Sequence, residues 1–231
     1  MASPAIGLRS SWAPGLNASI NWSHPLSQRL TVLAVAYGPF WKSFATGSIA
    51  QYPSINPPRA TPFGLGYDHS GNTASNANPR ISGFTTHTGS VTWFAAGLYT
   101  GVGTSAFKGI LGIRSGTLHG LASGVSASVI NLWYNTSESI VGPILTVTTP
   151  VTIVGSVSTD QRRLTINDSL QTTTGQAAAA LTGPMEIGGD NFGASNRPWI
   201  GTLNIVGMSL RQWSLAEELM FKSDPFCMLR H

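Results

Sequence analysis

From Ile81 to Arg211 the chain repeats one device: short runs rich in apolar and β-branched residues, each cut off by Gly, Ser, Asn or Asp. Strand-like segments recur over 90–99, 107–114, 124–134, 146–157, 164–166, 170–174, 185–187 and 200–211. Most are too short for a helix that buries a face, and none shows a helical period. Strands at this rhythm predict an all-β fold, two antiparallel sheets stacked as a sandwich or jelly roll. Residues 151–158, 163–166 and 169–172 predict a three-strand meander. Asn167-Asp168 suits a tight hairpin turn, because both residues tolerate φ > 0.

The stretch from Thr202 to His231 adds the one helix. Leu203 and Ile205 alternate, then Val206, Met208 and Leu210 do so on the other parity. That predicts a strand with a bulge near Gly207. Ser214 is an N-cap residue and Glu217 stands three positions later, which makes a capping box. Pro225 disfavours helical backbone at Asp224, so the helix ends near Ser223.

Upstream, residues 1–25 carry Pro4, Pro14 and Pro25 and predict an irregular arm. Residues 26–231 then predict a single domain. It opens on a buried strand, Leu30 to Tyr37, followed by a long proline-rich loop, 38–80. A loop of that length is uncommon in a compact domain, so it is expected to hold short strands or to pack on a neighbour.

Charged residues make up only 10% of the chain, against seven Trp and nine Phe. Aromatic content argues against disorder, and scarce charge suits a surface covered by partners, a homo-oligomer included. The net charge of +4 comes from ten Arg and three Lys, and only Arg162 and Arg163 are adjacent. Nucleic acid is not expected as a partner, because its footprint needs clustered cations. No membrane span or signal peptide is expected either, since the longest apolar run, LTVLAVAY, is short and the first residues lack a charged-then-apolar pattern. Cys227 is the only cysteine, so no intramolecular disulfide exists.

Several short motifs occur in a fixed order. They are Asn21-Trp-Ser-His-Pro-Leu, the T-D-x-x meander with its Asn167-Asp168 turn, Met185-Glu-Ile-Gly-Gly, Trp199-Ile-Gly-Thr-Leu, Ser214-Leu-Ala-Glu-Glu and Asp224-Pro-Phe. Together they resemble the laminin-G-like, concanavalin A-like jelly-roll superfamily over roughly residues 21–231, with start and end motifs like those of phage-encoded members. The resemblance implies two stacked antiparallel sheets and a role in a virion or in carbohydrate binding.

Some members of that superfamily are glycoside hydrolases, which need paired carboxylates and carry them as E-x-D-x-E or E-x-D-x-x-E. The four Glu here are Glu138, Glu186, Glu217 and Glu218, and none has an Asp two residues away. Capping already accounts for Glu217. His24, His69, His87, His119 and His231 are dispersed, and no G-x-S-x-G elbow or metal-ligand spacing occurs. No enzyme is therefore expected, the hydrolase reading standing third. No cofactor is expected beyond Ca²⁺, for which Asp68 with Asn72 and Asp190 with Asn191 are the candidates, although Asx-turns explain them more simply. For sugar stacking, Trp41 and Trp199 neighbour Gly or Pro turns and are the candidate platforms, whereas Trp93 and Trp133 alternate within strands.

These readings converge on a non-catalytic protein of a tailed-phage virion. Its expected role is capsid decoration or cement, or a head or tail fibre component, assembled in the host cytoplasm against the major capsid protein or tail proteins. The alternative is a carbohydrate-binding module for a bacterial surface glycan.

Overall fold

A computed structural model describes residues 17–45, 48–50, 57–70, 78–82, 87–101, 109–114, 118–123, 129–134, 137–175, 180–189, 191–192, 195–196 and 199–230. They form the expected all-β sandwich with one short C-terminal helix, and every strand pairing is antiparallel. The larger sheet runs in the order Ser169–Thr174, Gln161–Ile166, Thr149–Val157, Val91–Tyr99, Gly201–Ser209, Leu30–Tyr37, Phe40–Ser43. A hairpin, Arg59–Thr61 with Gly64–Asp68, joins it beside Thr202 and Leu203. The smaller sheet runs Ser137–Ile144, Val129–Tyr134, Leu118–Ser123, Gly109–Arg114, Met185–Ile187, Arg80–Ser82, Ser48–Ala50.

Both faces of the larger sheet are covered, so its central strands Val91–Tyr99 and Gly201–Ser209 are buried at every position. In Val91–Tyr99, Trp93 and Ala95 point between the sheets and join Leu111, Leu121, Leu132 and Ile187. Phe94 and Ala96 point the other way, under the helix, with Leu33, Val154, Trp213 and Phe221. Phe94 stacks on Trp213 at 4.8 Å and meets Phe221 at 5.0 Å. Gly207 is the residue that lets this ring in: a Cβ there would lie 2.2 Å from Phe94 Cζ.

The bulge sits earlier than the alternation predicts. The register slips between Leu203 and Ile205, not at Gly207. Leu203 consequently faces the inter-sheet core and Ile205 the helix side, while Val206 and Met208 return to the inter-sheet core. The extra residue is Asn204, whose side chain holds the added hairpin: Thr61 Oγ1 donates to Asn204 Oδ1 at 2.9 Å, and Asn204 Nδ2 donates to Gly64 O at 3.2 Å. The expected long loop thus contains the strands Phe40–Ser43, Ser48–Ala50, Arg59–Thr61 and Gly64–Asp68.

The helix spans Leu215–Ser223 and starts as expected. Ser214 Oγ accepts from Glu217 N–H at 3.3 Å, and the Glu217 carboxylate accepts from Ser214 N–H at 2.7 Å. Arg211 grips Glu217 with both Nη groups at 2.8 and 2.7 Å. Burial alone would raise the Glu217 pKa, but the bonds from Arg211 and Ser214 outweigh it and hold it below the ordinary range. The neighbouring Glu218 points inward and is fully buried. It accepts from Ser156 Oγ (2.9 Å), Thr165 Oγ1 (2.6 Å) and Arg163 Nε (2.9 Å). The helix is therefore clamped to two strands by a charge whose hydrogen bonds are made.

Candidate functional site

The added hairpin opens a cleft of about 530 Å³, lined by Pro57, Pro58, Arg59, Ala60, Asp68 and Ser70. Two prolines fix the backbone of one wall and present apolar ring faces. Pro58 rests on the turn at Gly38, which has φ +67 and would place a Cβ 3.3 Å from Pro58 Cγ. On the opposite wall Asp68 is buried, and its Oδ1 accepts from Ser70 N–H at 2.9 Å in an Asx-type turn. Its Oδ2 lies 3.3 Å from Arg59 Nη2. The Arg59 side chain is 47% exposed, so the guanidinium is anchored at one corner and keeps donors facing solvent.

Tyr67 and His69 flank Asp68 in sequence and project to the other side, into the sandwich. There they meet Trp41: Tyr67–His69 ring centroids are 4.5 Å apart, and Trp41 is 6.1 Å from each. Trp199 packs against Tyr99 at 5.4 Å nearby, where Trp199 N–H donates to Gly188 O and His69 N–H to Gly201 O. Gly188 (φ +68) touches the imidazole so closely that a Cβ would lie 1.9 Å from His69 Nδ1. Burial pushes the His69 pKa down to about 3, which keeps the ring neutral.

This geometry corrects two expectations. Trp41 and Trp199 are not rim platforms: both are buried in the inter-sheet core, and neither offers a ring face to solvent. A Gly or Pro neighbour marks a turn, but here the turn delivers the indole inward. His69 is also buried. Of the Ca²⁺ candidates, Asp68 is turned toward Arg59, while Asn72 and Asp190 lie outside the described residues. Among the described residues no group of three His, Cys, Asp or Glu side chains converges as a metal site. The chemistry-bearing residues that the sequence pattern left unmarked are Arg59 and the Pro57-Pro58 pair. The available signal was the P-P-R triplet, whose Arg59 stands nine residues before Asp68 of the D-H-S-G motif, inside a segment too long to be an idle loop.

Glu186, Glu217 and Glu218 do not line the cleft. Glu186 pairs with Arg80 at 2.9 Å, Glu217 caps the helix, and Glu218 clamps it. His87 lies 3.0 Å from Ser90 O, and His24 Nδ1 accepts from Leu26 N–H at 3.3 Å as the cap of a short 3₁₀ turn. Burial outweighs the nearby Asp224 and Glu217 charges and lowers the His24 pKa.

No protein-family model matches the chain, and no curated protein sequence does either. Solved structures do share the fold. A Trypanosoma rangeli sialidase in complex with sialic acid superimposes with a TM-score of 0.62 at 10% identity, over 87% of this chain and 33% of that one. A mutant of that sialidase displaying trans-sialidase activity gives 0.60 at 13% identity, over 85% and 33%. The CBM40 of Ruminococcus gnavus IT-sialidase, bound to α2,3-sialyllactose, gives 0.43 at 15% identity, over 60% and 83%, and no conclusion rests on it. The chain spans about a third of the length of the sialidases it matches. At these identities the likeness is one of fold: a lectin-like β-sandwich.

Proposed function

We propose that the domain is a non-catalytic carbohydrate-binding module for a bacterial surface glycan, and that the cleft at Arg59 and Asp68 is its binding site. The observation that carries this reading is the composition of that cleft. Sugar recognition needs an apolar surface for the C–H face of the ring beside fixed polar groups for its hydroxyls. Pro57, Pro58 and Ala60 supply the first, and the Arg59 guanidinium, held in place by the buried Asp68, supplies the second. The sandwich is one that glycan-processing proteins also use, which is consistent with the reading at the level of fold. Turnover is not part of the proposal. The cleft contains one carboxylate, Asp68, and it is committed to Arg59.

Glycan-array screening tests this. Specific hits are expected, with binding reduced at least tenfold by Arg59→Ala at a temperature where circular dichroism shows the variant folded, since the buried Asp68 loses its ion pair and some stability goes with it. Hits that survive Arg59→Ala would move the site elsewhere, and an array without hits would remove the reading.

A second reading has its own observation. Ile144 is 78% exposed and Trp22 60%, with Val141, Val147, Leu215, Leu219 and Met220 exposed as well, on a chain with 10% charged residues. Such a surface suits burial in an assembly. The assembly proposed is a tailed-phage virion, with this domain decorating the capsid or forming part of a head or tail fibre. The two roles are compatible in one chain. Mass spectrometry of purified virions is expected to find the protein at stoichiometric amounts, and its absence from them would remove this reading.

A further inference from the structure

The strand order of each sheet ends in two edge strands, and three of these four carry a feature that discourages further pairing, while the hairpin strand Arg59–Thr61, off that order, is only three residues long and opens on a charge. Phe40–Ser43 contains Lys42, Ser137–Ile144 contains Glu138 and Pro143, and Ser48–Ala50 is only three residues long. The fourth, Ser169–Thr174, reads Ser-Leu-Gln-Thr-Thr-Thr. It is six residues long, uncharged, free of proline and bulge, and exposed along most of its length.

The turn fixes which backbone groups look outward. Asn167 (φ 49) and Asp168 form a two-residue hairpin, so Ile166 and Ser169 are a hydrogen-bonded pair, as are Leu164 with Gln171 and Arg162 with Thr173. The same parity continues where Gly175 N–H donates to Asp160 O at 2.9 Å. The N–H and C=O of Leu170 and Thr172 therefore point away from the sheet, and no described residue meets them. Thr174 O differs, because Arg162 Nε occupies it at 2.8 Å. An apolar border runs beside the open stretch. Leu170 is 41% exposed, and Lys222, on the same helix flank as the exposed Leu215 and Leu219, bonds Asp168 at the tip of the hairpin.

We propose that Ser169–Thr174 is the seam of a two-fold homodimer, pairing antiparallel with its own copy about Gln171 and joining the two larger sheets into one. In that register Leu170 faces Thr172 of the second copy, twice over, and four backbone hydrogen bonds form from groups that are otherwise open. The occupant is a second copy because the strand is complementary to itself: the register uses the Leu170 and Thr172 groups and spares Thr174 O. It also places no charge of the strand opposite a like charge. On the outer face the two apolar helix flanks border the same seam. With strands about 4.8 Å apart, the two glycan clefts would stand roughly 50–60 Å from one another, which would let one dimer engage two sites on a glycan surface.

Sedimentation of the full chain from micromolar to hundred-micromolar concentrations tests the seam. A species of twice 24.3 kDa is expected. Thr172→Pro removes only an outward N–H, so it is expected to weaken dimerisation at least a hundredfold while leaving the thermal midpoint of the monomer near wild type. In a Cys227→Ser background, Gln171→Cys is expected to form a disulfide-linked dimer on mild oxidation, since facing Cβ atoms at such a pair lie about 4.5–5.5 Å apart. Thr173→Cys is expected to form none. A monomer across the whole range, a dimer indifferent to Thr172→Pro, or no cross-link at position 171 would each overturn the proposal.

Discussion

Two buried regions of this molecule handle polar groups in opposite ways. Under the helix, Glu218 brings a full charge into the protein, and its carboxylate is met by Ser156, Thr165 and Arg163. At the aromatic end of the sandwich, His69, Tyr99 and Trp199 are equally buried, yet both imidazole nitrogens, the phenol oxygen and the indole nitrogen lack partners among the described residues. The first region is held by directed bonds and the second by shape. Burial depth therefore does not rank the cost of a substitution here. What decides is whether the removed group leaves others unpaired.

The largest effect is expected from Glu218→Ala. Arg163 would be left part-buried without its carboxylate and two hydroxyls would lose their acceptor, a loss of about 3–5 kcal/mol in chemical denaturation. A loss under about 1 kcal/mol would erase the contrast between the regions.

His69→Leu is expected to behave the other way at pH 7, within about 1 kcal/mol of wild type or more stable, because it removes two buried nitrogens that have no partners. Its signature is in acid. The folded pKa of His69, about 3, lies below the unfolded value of 6.5. The unfolded chain thus binds the proton first, and the contribution of the neutral ring is complete above pH 6.5. It falls by about 1.4 kcal/mol per pH unit as the pH drops from roughly 6 toward 3. His119, also lowered by burial, and Glu217, whose favourable bonds are lost on protonation, push in the same direction. Stability measured against pH should therefore fall less steeply in His69→Leu than in wild type. Parallel curves would show that the ring reaches water.

Ser214→Ala should have the smallest effect, about 1 kcal/mol, since it removes the two bonds of one hydroxyl and leaves the Arg211–Glu217 pair in place. A loss as large as that of Glu218→Ala would mean that the cap, and not the clamp, holds the helix.

The same contrast separates what could be read in the sequence from what could not. The capping box, the Asn167-Asp168 turn and the strand Leu30–Tyr37 are local signals, and each is found where expected. The inward turn of Glu218 depends on Arg163, which is 55 residues away in the chain. The strands Leu118–Ser123 and Ser137–Ile144 were not expected, because their sequences are interrupted by His, Gly and Pro and are fixed by cross-sheet pairing. The bulge was displaced because the added hairpin competes for one side of strand Gly201–Ser209, which alternation within that strand does not report. Trp41 and Trp199 were misplaced for a related reason: a turn beside an aromatic residue says that the chain bends, not which way the ring points.

The glycan-binding cleft is tested most directly by two-dimensional amide NMR of the full chain, titrated with the strongest glycan from the array. Saturable shifts are expected at Arg59, Ala60, Asp68 and Ser70, with the helix and the strand Ser169–Thr174 unmoved. Shifts confined to other surfaces, or none at millimolar glycan, would contradict the proposed site.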